Sequence, residues 1–573
     1  MKLMTGAERK WWKEGVGYQI YPKSFCDSNG DGIGDLKGII SKLDYLAYLG
    51  INIIWLCPVY QSPMDDNGYD VSDYYQIAQE FGTIEEFKQL LEEAKKRDIK
   101  IVMDLVLNHT SDEHPWFVEA RKSVDSPYRD YYIWQKGKVD EFGNETEPTN
   151  WASFFTPSCW EKDEATNEYY MHIFSRKMPD LNWENEKMRK DLYKMVKWWL
   201  ELGIDGFRVD AVAHLDRDLT FTDSTLESDG RYKPDWSKFS NLPKVHDYLK
   251  ELNQEVFSNY DMFTVGEVGG GASVDDALLY ASTSSNELDM VFTFDHCWLN
   301  NGFNSLSETW SNQTDLIELK KVFKKWQLGL YNKAWNPLYW LNHDHPRVMS
   351  QYGSPIHYHK ESGKMLATSL FMMWGTPFIY NGEEIGMTNA NYENFEDYRD
   401  VSVLESIDLL LQAGHPKELV KRHIAVTARD NARTPMQWSN EENAGFSTAT
   451  PWIKVNPNYQ TINVQDQIND EDSILQHYRK LIELRRFSSY KDVIVYGEYT
   501  QLSENHPNVY AYLRTSNDQQ LLVVSNFFEK PAIICLPKFT AKQIILSNYK
   551  DSSMQLSCLT LRPFESIIFE LEK

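Results

Sequence analysis

The sequence predicts a (β/α)₈ TIM barrel (class α/β) with a small domain inserted after its third strand and a C-terminal all-β sandwich domain. Three observations carry this: eight short runs rich in β-branched and aromatic residues, helical periodicity between them, and two segments that break the alternation. Strands alternating with helices make a parallel sheet, and eight of them suit closure into a barrel, with an open doubly wound sheet as the alternative.

The runs are GYQIYP (17–22), INIIWLCPV (51–59), IKIVMDLVLNH (99–109), IDGFRVDAV (204–212), DMFTVGEV (261–268), LDMVFTFD (288–295), NPLYWLNHD (336–344) and TPFIYNGEE (376–384). Between the first two, Leu36, Ile39, Ile40, Leu43, Leu46 and Leu49 keep the spacing of an amphipathic helix. TIEEFKQLLEEAKK, EKMRKDLYKMVKWWLEL and GKMLATSLFMMW supply further helices before later strands. Residues 110–179 are too long for one helix and dense in Trp, Tyr, Pro, Asn and charge. Inserted at the C-terminal end of a strand, such a segment sits over the barrel mouth, where function usually lies. After DSILQHYRKLIELRR, the stretches NVYAYLRT, QLLVVSNFF and SIIFELEK alternate like strands of a separate β domain. The expected boundaries are 1–109 and 180–490 for the barrel, 110–179 for the insertion and 491–573 for the sandwich.

Composition narrows the function. The 59 basic and 84 acidic residues give a net charge of −25, which repels a polyphosphate backbone, so no nucleic-acid partner is expected. No signal-like start and no run of about 18 apolar residues occurs, so a soluble, cytoplasmic protein without membrane association is expected. The six cysteines are scattered without CxxC or zinc spacing and read as reduced, partly buried thiols. HDH (343–345) and HYH (357–359) lack a third ligand at zinc spacing. Oligomeric state is expected to be monomer or weak homo-oligomer.

In a barrel, reactive groups come from the C-terminal ends of different strands. Asp210 ends the fourth run, Glu267 the fifth and Asp344 the seventh. Residues two apart on a strand face the same side, so Arg208 and Asp210 point together, and the guanidinium is expected to hold Asp210 ionised, as a nucleophile requires. Glu267 follows FTVG, an apolar setting expected to keep a general acid protonated. Two carboxyl groups with opposite protonation states are what glycoside cleavage uses.

DLVLNH (104–109), GFRVDAVAH (206–214), VGEV (265–268) and LNHDHPR (341–347) resemble the four signature regions of the α-amylase superfamily. MPDLNWE (178–184) resembles its additional region, and WWKEGVGYQIYPKSF, DNGYDVSDY, SDEHPWF and RDNARTPMQW are similar to the α-glucosidase and oligo-1,6-glucosidase branch. The resemblance implies Asp210 as nucleophile, Glu267 as acid/base and Asp344 as transition-state stabiliser. It further implies that His109, Arg208 and His343 hold the reacting glucose, that Tyr69 stacks on it, and that Asp66, paired with Arg429, closes the pocket floor. A closed floor means exo-action on a small oligosaccharide or disaccharide.

DSNGDGIGD (27–35) places Asp27, Asn29, Asp31, the Ile33 carbonyl and Asp35 around a Gly-rich turn, with Gly38 where an EF-hand needs Glu. Both the loop chemistry and the resemblance imply a structural Ca²⁺ or Mg²⁺, and no organic cofactor is expected. Within the branch, Val directly after the nucleophile accompanies α-1,6 cleavage and smaller residues α-1,4; Ala211 therefore points to a retaining α-glucosidase preferring maltose-type α-1,4 linkages. The alternatives are an oligo-1,6-glucosidase and a sucrose isomerase or transglucosidase, since Met178, Val268, Gly269 and His345 depart from the isomaltase pattern. A phosphorylated disaccharide remains open as substrate. A non-catalytic, transporter-associated homologue is disfavoured because all three acids are present and no membrane span is.

Overall fold

The computed structural model describes residues 8–228, 230–269 and 271–572. Eight parallel strands fall inside the eight predicted runs: β1 (Gly17–Ile20), β2 (Ile53–Leu56), β3 (Lys100–Val106), β4 (Gly206–Asp210), β5 (Phe263–Glu267), β6 (Met290–Phe292), β7 (Pro337–Leu338) and β8 (Thr376–Tyr380). Their order is β6-β5-β4-β3-β2-β1-β8-β7, and a parallel bridge between Met290 and Trp335 brings the two ends together. Parallel strands covered on both faces read as continuous apolar runs, and β1, β2, β4 and β8 are buried along their whole length. Gly206 has φ 156°, and a Cβ there would lie 2.1 Å from the Phe263 carbonyl oxygen. Only glycine lets β4 approach β5 this closely, which sets Asp210 beside Glu267.

The outer helices follow the sequence signals. Ile84–Lys96 starts with a reciprocal capping box between Thr83 and Glu86 and buries Phe87, Leu90 and Ala94 against the barrel. Glu186–Leu202 buries Met188, Leu192, Met195, Val196 and Trp199 and stops at Gly203, whose φ of 113° suits a left-handed C-terminal cap.

The insertion between β3 and β4 holds an antiparallel sheet of Trp134–Gln135, Glu168–Met171 and Trp160–Asp163 around its own core, including Trp151, Cys159 and Ile173. A bridge between His109 and Asp180 ties its exit to the end of β3.

The C-terminal module is all-β, as predicted. A five-stranded antiparallel sheet runs in the order β9 (Glu498–Leu502), β10 (Val509–Thr515), β11 (Gln520–Asn526), β15 (Ser566–Leu571), β13 (Ala541–Ser547), and a ribbon of β12 (Ala532–Ile534) with β14 (Leu559–Leu561) covers one face. The other face is not free: Tyr510, Tyr512, Leu521, Val523 and Ile568 join the barrel core. Lys320, wholly buried, donates to the carbonyls of Ser503, His506 and Val509 across this junction.

Unpredicted structure lies after β8. Helices Val401–Gln412 and Lys417–Thr427 pair around Val403, Ile407, Val420 and Ile424. A short helix, Asp430–Arg433, follows and turns Arg429 and Arg433 toward the barrel mouth. Among the described residues, no helix is long and apolar enough to cross a membrane.

Candidate active site

The C-terminal ends of the strands open into a cavity of about 260 Å³. Asp66, Tyr69, His109, Asp210, Ala211, Glu267, His343, Asp344 and Arg429 all line it. Phe154, Phe155 and Phe174 from the insertion form one wall, and Phe294 with Trp298, from the segment after β6, forms another.

At its base, Arg208 binds three carboxylates. In register with Arg208 on β3 is Asp104, whose Oδ1 lies 2.9 Å from Nη1. The same Nη1 lies 2.5 Å from Asp210 Oδ1, and Nη2 lies 2.8 Å from Glu267 Oε2. Glu267 Oε2 also accepts the backbone N–H of Ala211 at 3.0 Å. Trp55 Nε1 and the Tyr69 hydroxyl both donate to Asp104 Oδ2, and the guanidinium stacks over Trp55 at 5.0 Å.

The charge balance corrects the sequence reading of Asp210. Arg208 does bind it, but burial pushes the Asp210 carboxyl well above the usual range, and the negative charges of Glu267 and Asp104 add to that against the pull of Arg208. One guanidinium faces three buried carboxylates, so full ionisation of the cluster is disfavoured.

Asp344 behaves oppositely. Burial works against its charge, yet the Arg429 and Arg433 guanidiniums, with the His343 ring beside them, outweigh this and hold the carboxyl below the usual range. Oδ1 lies 2.9 Å from Arg429 Nη1 and 3.0 Å from Arg433 Nη2. Gln19 Nε2 sits 2.9 Å from His343 Nδ1, so Nδ1 is the acceptor and Nε2 carries the proton that reaches Asp344 Oδ2 at 3.2 Å. Burial, together with the nearby guanidiniums, lowers the His343 pKa far enough to keep the ring neutral. Its face stacks on Tyr69 at 5.1 Å with an interplanar angle of 4°. Burial likewise lowers His109 to about 3, leaving a neutral ring whose Nε2 faces the Tyr69 carbonyl at 3.2 Å.

On the cavity floor, Arg429 Nη2 joins Asp66 Oδ1 at 3.0 Å and Asp400 Oδ2 at 2.7 Å. Asp400 also binds Arg433 at 2.5 Å. Sequence reasoning missed Asp400, Arg433, Asp104 and the three phenylalanines. Asp104 had a signal, as a charge inside an apolar strand, and Arg433 another, four residues after Arg429. Asp400 had none beyond its place as N-cap of Val401–Gln412.

The 27–35 loop lies apart from the cavity. Asp27 Oδ1 accepts the N–H groups of Asn29 and Gly30, Asn29 Oδ1 accepts that of Asp31, and Asp31 Oδ1 that of Ile33. Asp35 caps the helix Leu36–Ser41 through Gly38 N and binds Ser28. Among the described residues no group of three or more His, Cys, Asp or Glu is gathered as metal ligands, so a cation in this loop would rest in part on the Asn29 side chain and the Ile33 carbonyl.

Residues 19–497 match the alpha amylase catalytic domain, and residues 509–568 match the alpha-amylase SusG C-terminal domain. The chain is 49% identical to an oligo-1,6-glucosidase of Bacillus cereus over 99% of this chain and 100% of that protein. It is 45% identical to a trehalose-6-phosphate hydrolase of Bacillus subtilis over the full length of both. An isomaltulose synthase of Erwinia rhapontici NX5, solved with sucrose, superposes with a TM-score of 0.93 at 40% identity, covering 99% of this chain and 100% of that one. The (β/α)₈ barrel, its acid-lined mouth and these full-length matches establish that the chain belongs to the α-amylase family of glycoside hydrolases, in its α-glucosidase branch.

Proposed function

We propose that this chain is a retaining, exo-acting α-glucosidase that releases terminal glucose from short α-glucosides, with isomaltose-type α-1,6 linkages as its main substrates. The observation that carries retention is the shared guanidinium: Arg208 binds Asp210 at 2.5 Å and Glu267 at 2.8 Å, and Glu267 also accepts the N–H of Ala211, the residue after Asp210, so the two carboxyl groups are held close together. An inverting pair stands about 6.5–9.5 Å apart to admit a water between them, which this arrangement leaves no room for. Asp210 then attacks the anomeric carbon while Glu267 protonates the departing oxygen, and Glu267 activates the water that hydrolyses the glucosyl ester. Asp344, ionised and held by His343 and two arginines, faces the developing oxocarbenium charge. Asp66 and Arg429 bind the non-reducing-end hydroxyls, with Tyr69, His109 and His343 around the same ring.

The linkage assignment departs from the sequence expectation. Oligo-1,6-glucosidases at about half identity over full length support α-1,6 cleavage more strongly than Ala211 supports α-1,4. The α-1,4 reading survives as the second one because Ala211 lines the cavity beside the nucleophile. A phosphorylated substrate is less favoured: among the described lining residues, the one arginine, Arg429, is already engaged by Asp66, Asp344 and Asp400. Initial rates on isomaltose, maltose, sucrose and trehalose 6-phosphate test the reading. Isomaltose should lead with glucose as product; a lead for maltose favours the Ala211 argument, and isomaltulose from sucrose favours an isomerase.

We further propose a structural Ca²⁺ or Mg²⁺ in the 27–35 loop, held by Asp27, Asn29, Asp31 and the Ile33 carbonyl. Asn29 and Asp31 each accept one loop N–H and keep oxygen lone pairs for a hard cation, while Asp27, which accepts from Asn29, Gly30, Gly32 and Ser447, would exchange one of these contacts for it. Asp35 closes the loop as a helix cap.

A further inference from the structure

Two thiols outside the catalytic machinery face each other across the C-terminal ribbon. The antiparallel register of β12 and β14 pairs Ala532 with Leu561, Ile533 with Thr560 and Ile534 with Leu559. The ladder ends there: Cys535 follows Ile534, Cys558 closes the short turn Leu556–Cys558 just before Leu559, and the Leu536 N–H donates to the Leu556 carbonyl at 2.8 Å, so the two cysteines lie between two cross-links of the same ribbon. Residues opposite one another in an antiparallel pair point to the same side. Burial alternates along the ribbon so that Ile534, Leu536 and Leu559 are covered while Cys535 and Cys558 are both exposed. Cys26, Cys57, Cys159 and Cys297, by contrast, are all buried. Neighbouring strands of a ribbon lie about 4.7–4.9 Å apart, inside the roughly 4.4–6.8 Å between Cα atoms that a disulfide spans.

We propose that Cys535 and Cys558 form a reversible modification site, oxidised to a cross-strand disulfide by a low-molecular-weight disulfide such as oxidised glutathione. One thiolate attacks the glutathione disulfide, releasing one reduced glutathione. The second thiolate attacks the protein sulfur of the mixed disulfide, forming the Cys535–Cys558 bond and releasing a second reduced glutathione. Two protein thiols are oxidised, one glutathione disulfide is reduced, and the two thiol protons pass to the departing thiolates. The bond closes the chain from 535 to 558, which carries edge strand β13, so it stabilises the module without touching the barrel mouth.

The test uses the full chain with oxidised glutathione, read by intact mass, peptide mapping and melting. The expected result is loss of two hydrogens, a cross-linked peptide pair containing Cys535 and Cys558, a melting temperature higher by about 2–5 °C, and unchanged kcat/KM. Dithiothreitol should reverse all three changes, and the Cys535→Ser/Cys558→Ser variant should show none. Stable glutathione adducts on either cysteine, or two thiols that stay alkylatable after oxidation, would overturn the proposal.

Discussion

The backbone N–H of Ala211 donates to Glu267 Oε2 at 3.0 Å, so the residue after the nucleophile positions the acid as well as lining the cavity. Ala211 sits at φ 45°, ψ 31°, in the left-handed region where a β-branched side chain is strained. Ala211→Val adds two methyl groups beside Asp210. A methyl-scale change in a pocket discriminates by about 1–3 kcal/mol. The expected outcome is a rise of about 10-fold in the isomaltose-to-maltose ratio of kcat/KM, with a lower total rate. An unchanged ratio would remove position 211 from the specificity argument.

The raised Asp210 carboxyl makes a pH prediction with a definite sign. Asp210 attacks only when ionised, so the rate should fall as pH drops through a value above the ordinary carboxylate range. Asp104→Asn removes the negative charge that lies in register with Arg208 on β3, which lowers the Asp210 pKa. On an activated aryl α-glucoside, whose leaving group needs little protonation, the acid limb of the glucosylation rate should move down by about one unit. A limb that stays in place would mean another group controls it.

Asp400 is not among the residues that line the cavity, yet it binds both arginines that hold Asp344. Asp400→Asn keeps its size and removes its charge. Breaking such a buried pair leaves Arg429 and Arg433 undercompensated, and misplacing a reacting group by about 1 Å costs roughly 100-fold. We expect kcat/KM to fall by about that factor, with a restored rate in Asp400→Glu if position matters less than charge. Steady-state kinetics beside a melting curve separate this from general unfolding.

The loop cation predicts a stability effect without a catalytic one. Chelation should lower the melting temperature by about 5 °C, since ligand binding to the folded state adds stability by mass action, and Ca²⁺ or Mg²⁺ should restore it. Asp31→Asn should blunt the response, while kcat/KM at 25 °C stays near its starting value. A melting curve indifferent to chelator and to added cation leaves the loop as a ladder of Asx turns.

Much of the fold was legible because buried parallel strands are written as continuous apolar runs, and every barrel strand lies inside one. β7 shrinks to Pro337–Leu338 because its run passes quickly into the loop that presents His343 and Asp344. The positions of the carboxylates were legible as strand ends. Their protonation was not, because burial and the three-to-one ratio of carboxylates to Arg208 exist only after β3, β4 and β5 align. Asp400 was invisible since helix Val401–Gln412 has no signature linking it to the mouth. The capping role of Asp35 was not legible because the same oxygen atoms suit a metal loop and a helix cap. The Cys535–Cys558 pairing depends on register across 22 intervening residues, which cysteine spacing alone does not encode.

The central claim is double displacement by Asp210 and Glu267 on a terminal glucose. Proton NMR of the first glucose released from isomaltose tests it most directly, before mutarotation blurs the anomers. The account predicts α-glucose as the initial product; β-glucose would mean direct attack by water and would contradict the roles given to both carboxyl groups.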